Sequence, residues 1–555
     1  MNFVKIECIN KNATKEYPIG TDMMTIAVDQ NVQLNGGILG VYVNNKIQEL
    51  NFTPIRSSKI RFFGLESPDG CDVYSRGLFF TFYAAVHDLF PDYKVVLEYP
   101  TSSGMFCTAT KGKQHLDEAE VKTVEKRMRQ MIEADIPINR IDMPTDEAIK
   151  MFEQQGLYSK RKLLHSRGTF YTSVYSLGST IDYFYGFLPP STGCLKVFEI
   201  STYKKGIVIS VPDENENFLK PKKFMREEKI LSNLDEYNRW QTSFRLDNVG
   251  ELNASTINGN ISEVIKVTEA NQEVKIHLAA AEIKKASKKV KVILLAGPSS
   301  SGKTTSAQRL IIHLQVLGIR CHKLSLDDYF FERDKTPKDE NGDYDFETIK
   351  AVDVDFFNEQ LNDLMSGKEV SLPHFDFITG KRTFNGQTLK LQKNDMVVVE
   401  GIHGLNPDLT PGINPENLYK IFVSALTTIS LDDHNIIPSS DNRLIRRIVR
   451  DKQFRGYSAE ETILRWPKVR EGEKKYIEPF QENADFMFNS SLFYELGVLK
   501  SYVLPLLANV PETSTAFSEA YRLSKFMSYF EAVSVEEIPP TSLMREFLGG
   551  SSFKY

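Results

Sequence analysis

Cysteine is scarce in this 555-residue sequence, and long hydrophobic runs are missing. The five cysteines lie far apart without a Cys-x-x-Cys pair, which argues against a disulfide framework or a cysteine-rich zinc site. The nine histidines form no His-x-x-x-His pair, so they predict no histidine metal site. No apolar run approaches the ~18–20 residues of a membrane span, and the N-terminus lacks a signal-peptide pattern. We therefore expect a cytoplasmic protein without a membrane partner.

A strong excess of one charge is also missing. The net charge of −5 gives no global reason to expect nucleic-acid binding, although RNA binding stays open as an alternative. The length favours three or four domains. A homo-oligomer is neither indicated nor excluded.

What the sequence does contain is a phosphate-binding motif in its second half. Residues 292–296 form a short apolar run typical of a strand buried on both faces of a parallel sheet. Residues 297–304 then fit Gly-x-x-x-x-Gly-Lys-Thr, and apolar residues at helical spacing follow. This order of strand, glycine-rich loop and helix predicts a nucleoside triphosphate site. We expect the binding residues to be Gly297, Ser299, Ser300, Ser301, Gly302, Lys303, Thr304 and Thr305.

The residue types in this loop have physical reasons. Gly297 and Gly302 allow a tight turn that aims N–H groups inward. The Lys303 ammonium reaches the β- and γ-phosphates, and the Thr304 hydroxyl can hold Mg²⁺.

Two further predicted strands end in carboxylates. Asp327 follows the strand 321–326, and Glu400 follows the strand 396–399. Ligands sit at the carboxyl ends of parallel strands, where a carboxylate can take a hydroxyl proton or hold Mg²⁺. Considered alone, each carboxylate could instead be a helix cap or a surface charge.

Four arginines recur at helical spacing within residues 441–451 and share one helix face. One interpretation is a solvated basic face. The other, which we favour, is a lid helix whose guanidinium groups neutralise charge on a transferring phosphoryl group. The four are Arg443, Arg446, Arg447 and Arg450.

Residues 290–500 resemble the uridine kinase and phosphoribulokinase family. Besides the phosphate loop, the matching motifs include Leu324 to Tyr329, Pro373 to Phe377, Val399 to Ile402 and Asp441 to Asp451. The resemblance implies ATP and Mg²⁺ as cofactors. It implies that Asp327 is the catalytic base, assisted by Lys303 and Arg446, and that Thr304, Asp327 and Glu400 organise the metal. It also places Glu347, Phe375 and Arg443 at the substrate.

Two positions depart from the pyrimidine kinases of this family. Where they carry a Tyr and a His that contact the base, this sequence has Phe375 and Gly380. A site without these hydrogen-bonding groups should lose pyrimidine discrimination.

The first half resembles parts of threonyl-tRNA synthetases. Residues 1–63 resemble their TGS domain, and residues 68–200 resemble their editing domain, best at residues 181–193. The family's Cys and His fall on Phe184 and Leu188, and its His-x-x-x-His helix falls near Tyr74 and Leu78. Phe and Leu side chains cannot hold a metal, so we expect a retained fold that acts as a scaffold, with residual RNA or ligand binding as the alternative.

The predicted fold class is therefore α/β: a doubly wound P-loop kinase domain preceded by two α+β domains. The expected activity is transfer of the γ-phosphoryl group of ATP to a nucleoside 5′-hydroxyl. The alternatives are a kinase for another small sugar or phosphosugar, and an ATP-switched RNA-binding regulator. We expect domain boundaries of 1–65 (TGS-like), 66–215 (editing-like), 216–289 (helical connector) and 290–555 (kinase).

Overall fold

The computed structural model of the protein describes residues 3–225, 227–338, 342, 344–376 and 379–554. Helices and parallel or antiparallel sheets alternate through the chain. Among the described residues, no helix is both long enough and apolar enough to cross a membrane.

A small mixed sheet opens the chain. Its strand order is β2-β1-β5-β3-β4, with β1 and β5 parallel and the other neighbours antiparallel. Helix α1 begins after Asp22, whose side chain accepts from the Thr25 N–H at 2.7 Å, and packs on the sheet. The elements are β1 (Phe3–Cys8), β2 (Ala13–Pro18), α1 (Met23–Asp29), β3 (Gly40–Val43), β4 (Lys46–Gln48) and β5 (Ser58–Phe63).

The next region combines two antiparallel sheets with four helices. One sheet has the order β12-β13-β7-β6, with β8 beside β7, and the other has the order β11-β10-β9. The elements are α2 (Pro68–Leu89), β6 (Lys94–Thr101), β7 (Gly104–Lys111), β8 (Gln114–His115), α3 (Glu118–Glu133), β9 (Ile138–Pro144), α4 (Thr145–Gln154), α5 (Tyr158–Arg167), β10 (Tyr171–Leu177), β11 (Thr180–Asp182), β12 (Glu199–Tyr203) and β13 (Gly206–Ser210).

The four residues expected at a synthetase-like site belong to the core of this region. Tyr74, Leu78, Phe184 and Leu188 are each at most 4% exposed and fall in one apolar cluster. Their side chains fill space instead of lining an open site.

Three helices connect the two halves, and a five-stranded sheet follows. The sheet order is β15-β18-β14-β19-β20, and every neighbouring pair is parallel. The central strand β14 is buried along its whole length, as its apolar sequence predicts. The elements are α6 (Glu228–Ser243), α7 (Val249–Ile257), α8 (Ile261–Ala286), β14 (Val292–Ala296), α9 (Lys303–Val316), β15 (Cys321–Ser325), α10 (Val354–Met365), β16 (Glu369–Asp376), β17 (Lys381–Lys390), β18 (Met396–Glu400), β19 (Leu418–Ser424) and β20 (Phe486–Asn489).

Helices from the last part of the chain pack on this sheet and on its phosphate loop. They share a large apolar core that also includes residues from the first half. The elements are α11 (Ser439–Arg455), α12 (Ala459–Tyr476), α13 (Glu495–Ala508), α14 (Phe517–Met527) and α15 (Arg545–Leu548).

A buried polar network joins the two halves. The Lys160 ammonium lies 2.8 Å from Asp182 and 3.0 Å from Asp432, and all three side chains are fully buried. His434, from the loop between β19 and α11, contacts Asp182 at 2.7 Å and lies against the Tyr83 ring. Burial alone would lower the pKa of Lys160, but the two carboxylates outweigh it and hold this pKa above its usual value. The two halves therefore meet through a buried ion-paired interface.

Candidate active site

The phosphate loop connects β14 to α9, in the order of strand, loop and helix that the sequence predicts. A Cβ at Gly297 would lie 2.0 Å from the Val423 carbonyl oxygen, so only glycine fits there. Ser300 and Gly302 adopt left-handed φ angles of +58° and +81°. The Ser300 and Ser301 hydroxyls are buried and have no hydrogen-bond partner among the described residues. Buried polar groups are normally satisfied, so these hydroxyls are suited to a polar ligand.

Lys303 and Thr304 begin helix α9 at the end of this loop. The Lys303 ammonium donates to the Pro298 carbonyl at 3.0 Å, and burial lowers the pKa of Lys303. The Thr304 hydroxyl donates to Glu400 at 2.5 Å, and the other oxygen of Glu400 lies 2.9 Å from the Lys323 ammonium. The structure therefore brings together the predicted loop lysine, hydroxyl and strand-end carboxylate.

Asp327 lies beside this group because β15 and β18 are neighbours. Ser325 is paired with Glu400 in the sheet, so the turn after β15 carries Asp327 to the same sheet edge. Burial, and then the charge of Glu400, raises the pKa of Asp327 to about 6, although Lys303 opposes the shift. Two carboxylates and a hydroxyl form an oxygen donor set of the kind Mg²⁺ prefers, with water completing its shell. Among the described residues, however, no group of three or more His, Cys, Asp or Glu is arranged as a metal site.

Glu347, the predicted substrate residue, faces helix α12. A Cβ at Gly472 would lie 2.8 Å from the Glu347 Cβ, so the helix approaches closely there. Burial, followed by the charge of Glu473, raises the pKa of Glu347 to about 7, and the charges of Lys303 and Asp327 also act on it. Glu347 is thus part of the same electrostatic site.

His403 was not identified from the sequence, although it follows β18 closely. It is 1% exposed, and burial lowers its pKa to about 4. The ring is therefore neutral near pH 7. The sequence feature that could have identified His403 is its position three residues after Glu400, the carboxylate at the end of β18.

The predicted arginine helix exists as α11, but it is buried and does not form an exposed lid. Arg443 makes a two-pronged ion pair with Glu473 and donates to the Ser299 carbonyl at 3.1 Å. Glu473, on the neighbouring helix α12, neutralises the guanidinium inside the protein, and the lid role of the helix stays a prediction. The spacing of the arginines predicts that they share one helix face, but it could not identify Glu473, which is distant in the sequence, as a partner.

Arg446 is held in the same way and is fully buried. Its guanidinium pairs with Glu495, donates to the Ser300 carbonyl at 3.3 Å, and donates to the Ser490 hydroxyl and carbonyl at 3.2 and 3.1 Å. Every guanidinium nitrogen is thus engaged by the protein. Arg446 supports the back of the phosphate loop in this structure.

Arg447 and Arg450 lie nearer the opening of the site. Arg447 donates to the Ser299 hydroxyl at 2.8 Å and pairs with Asp451 at 3.2 Å. Arg450 pairs with the same carboxylate at 2.9 Å, and its charge acts on Lys303. Arg455 also lies 3.5 Å from Asp451. One carboxylate thus faces three arginines, which leaves positive charge beside the loop.

The predicted base-contacting positions do not form an open base pocket. Phe375 is 3% exposed and packs edge-on against the Phe330 ring, with centroids 5.7 Å apart. At Gly380 a Cβ would lie 2.7 Å from the Arg333 side chain. Phe375, which the resemblance places at the substrate, therefore packs in the core of this structure. Phe377, the last residue of that motif, lies outside the described residues.

Comparisons with known proteins point to the same part of the chain. A uridine kinase from Ureaplasma parvum is 28% identical over 195 residues, which is 35% of this chain and 85% of the relative. A uridine kinase from Staphylococcus aureus is 27% identical over 197 residues, which is 35% of this chain and 86% of the relative. These alignments cover only about a third of the chain, so they bear on one region.

Solved structures align more distantly. A structure described as a possible uridine kinase from Bacillus stearothermophilus shares 22% identity over 36% of this chain and 89% of its own, with a TM-score of 0.24. A D-glycerate 3-kinase from Cryptococcus neoformans shares 14% identity over 51% of this chain and 88% of its own, with a TM-score of 0.20.

The family comparison defines the matched region. The model of the phosphoribulokinase / uridine kinase family matches residues 292–492, which contain the phosphate loop, both strand-end carboxylates and helix α11. Residues 292–492 of this chain therefore form a kinase domain of the phosphoribulokinase / uridine kinase family.

Proposed function

We propose that the protein transfers the γ-phosphoryl group of ATP to a nucleoside 5′-hydroxyl. One observation carries the proposal: Asp327, a buried carboxylate with its pKa raised to about 6, shares the mouth of the phosphate loop with Lys303 and Glu400. A base with this pKa is ionised at neutral pH and still accepts a proton effectively. The loop, the lysine and the base are the parts that phosphoryl transfer requires.

The residues of the chain account for each bond change. Asp327 takes the proton of the acceptor hydroxyl while that oxygen forms a bond to the γ-phosphorus, and the bond to the β,γ-bridging oxygen breaks to release ADP. Lys303 neutralises charge on the phosphates as it develops. Thr304, Asp327 and Glu400 would hold Mg²⁺, which supplies further neutralisation of the phosphates.

The arginines divide into two groups in this account. Arg443 and Arg446 hold the Ser299 and Ser300 carbonyls from behind and keep the loop in shape. Arg447 reaches the outer side of the loop through the Ser299 hydroxyl. We assign charge neutralisation at the transferring group to Arg447, because the charges of Arg443 and Arg446 are already paired inside the protein.

A second candidate acceptor is a small sugar or phosphosugar without a base. The observation that favours it is the packing of Phe375 in the core and of Arg333 against Gly380. Both side chains occupy space at the positions that would otherwise read a pyrimidine. Phosphoryl transfer itself would use the same Asp327 and Lys303.

The test is ADP release with Mg-ATP against a panel of acceptors: uridine, cytidine, adenosine, guanosine, inosine, ribulose 5-phosphate, ribose and no acceptor. We expect one acceptor to raise ADP release well above the no-acceptor rate. A nucleoside as that acceptor supports the first candidate, and a sugar supports the second. ADP release that no acceptor increases would overturn both.

A further inference from the structure

The C-terminal segment, which we define as residues 538–550, lies across the start of helix α9. Leu543, Met544 and Phe547 in this segment are fully buried. A Cβ at Gly302 of the phosphate loop would lie 2.6 Å from the Leu543 side chain, so the segment touches the loop directly. The Phe547 ring lies 5.1 Å from the Arg446 guanidinium. The C-terminal segment is therefore docked on the phosphate loop.

One carboxylate of this segment contacts the phosphate-binding donors. An oxygen of Glu546 accepts from the Thr305 N–H at 3.1 Å and from the Thr305 hydroxyl at 2.7 Å. Thr305 lies in the first turn of α9, where free N–H groups and the helix dipole favour an anion. The charge of Glu546 also acts on Lys303. Glu546 thus takes the donors that the sequence assigns to a nucleotide phosphate.

A second carboxylate, Glu473, also contacts the phosphate loop, but cationic side chains compensate its charge. Glu473 accepts from the Ser299 N–H at 3.1 Å, but it is also paired with Arg443 and Arg470. Among the described residues, no arginine, lysine or histidine lies within ion-pair distance of Glu546. Its charge is therefore balanced mainly by the phosphate-binding donors themselves, as the charge of a bound phosphate would be.

We propose that Glu546 occupies the place of a nucleotide phosphate, so that the C-terminal segment is an internal competitor that ATP must displace. The proposal rests on the proposed function in one respect, because it requires that the loop binds a nucleotide. It adds a regulatory contact to that site: any event that lifts the C-terminal segment raises nucleotide affinity. Because the competitor replaces a phosphate, it opposes AMP, ADP and ATP but not adenosine.

Removing the charge of Glu546 should change the stability of the protein and its nucleotide affinity in opposite directions. With Glu546 docked, the nucleotide-free protein gains a charge-assisted contact, and the competent fraction of sites falls. Glu546→Gln keeps the shape but removes the charge. It should therefore lower the melting temperature of the nucleotide-free protein while tightening nucleotide binding. A purely structural role would lower stability without tightening binding.

The experiment is calorimetric titration of the full chain with Mg-AMPPNP, ADP, AMP and adenosine. Glu546→Gln should bind each phosphorylated ligand about tenfold more tightly than wild type, the difference expected between a charged and a neutral hydrogen-bond acceptor. Its adenosine affinity should be unchanged. The matched control is Glu536→Gln, an exposed carboxylate ten positions earlier, which should bind every ligand like wild type.

A second variant covers the case in which the first one folds poorly. Leu543→Ala loosens the docking while keeping Glu546, and should also tighten nucleotide binding. If wild type binds nucleotide and neither variant binds it more tightly, the competitor proposal is overturned and the proposed function stands. If wild type and both folded variants bind no nucleotide, the proposed function fails and the competitor proposal falls with it.

Discussion

At the scale of single residues, the account depends most on Asp327. Replacing it by Asn keeps the shape but removes the proton acceptor, so kcat should fall by about 10²–10⁴-fold while nucleotide binding persists. The measurement is acceptor-dependent ADP release together with calorimetric titration of AMPPNP. The control is Asp334→Asn, an exposed carboxylate seven residues later, which should retain wild-type turnover. Near-normal turnover in D327N would show that another group takes the proton.

The raised pKa of Asp327 also predicts a pH dependence. The residue acts only as a carboxylate, so the active fraction grows as pH rises through about 6 and is lost as pH falls below it. A profile of kcat/KM, which reports the free enzyme, should therefore rise from about pH 5 and level off near about pH 7. Glu347→Gln should leave this limb in place. A profile that is flat across this range contradicts the assignment of Asp327 as the base.

The site residues that could be predicted from the sequence are those that belong to a short motif or follow a predicted strand. Gly297, Lys303 and Thr304 follow from one short motif, and Asp327 and Glu400 follow from their places after apolar strands. Sequence analysis could not identify the carboxylates that pair with the arginines or contact the loop. These carboxylates are Glu473, Glu495 and Glu546. They lie on helices distant from the loop in the sequence, and no motif in the surrounding residues identifies them.

At the scale of elements, helix α11 gives the sharpest prediction. Arg446→Met leaves Glu495 buried and unpaired, which should lower the free energy of unfolding by about 3–5 kcal/mol. The double variant Arg446→Met with Glu495→Leu removes both charges and should recover much of this loss. Urea denaturation of the single and double variants measures the difference.

The control for this experiment lies on the same helix. Lys452 is exposed, so Lys452→Met should change stability by less than about 0.5 kcal/mol. If Arg446→Met keeps wild-type stability but loses turnover, Arg446 acts on the phosphates as the sequence implied, and our structural assignment is wrong.

The elements that sequence patterns predicted are those with strong periodicity. The buried strands β14 and β18 were recognised from short continuous apolar runs, and helix α11 was recognised from arginines at helical spacing. Strand β2 was missed because five of its six residues are exposed, so no alternation marks it. Strand β20, at the far edge of the kinase sheet, has only four residues, too few for a pattern.

At the scale of the whole molecule, the buried network between the halves predicts joint unfolding. Lys160→Met leaves Asp182 and Asp432 without their cation, so the free energy of unfolding should fall by about 3–5 kcal/mol. Scanning calorimetry of wild type should show one transition, and the variant should show one transition at lower temperature. Lys162→Met is the control, since Lys162 pairs at the surface and should change stability little.

Two resolved transitions, of which Lys160→Met moves only one, would contradict this coupling. The first half would then be a module that stabilises itself. Under the coupled account, the kinase region expressed without residues 1–215 loses Lys160 and Asp182 and should be less stable than the full chain.

The central claim is phosphoryl transfer from ATP to an alcohol at the Asp327 site. The most direct measurement follows label from [γ-³²P]ATP into the best acceptor of the panel, with wild type and Asp327→Asn assayed side by side. We predict one labelled acceptor molecule for each ADP formed by wild type, and almost no label transferred by the variant. Release of the label as free phosphate, or equal transfer by both proteins, would contradict the account.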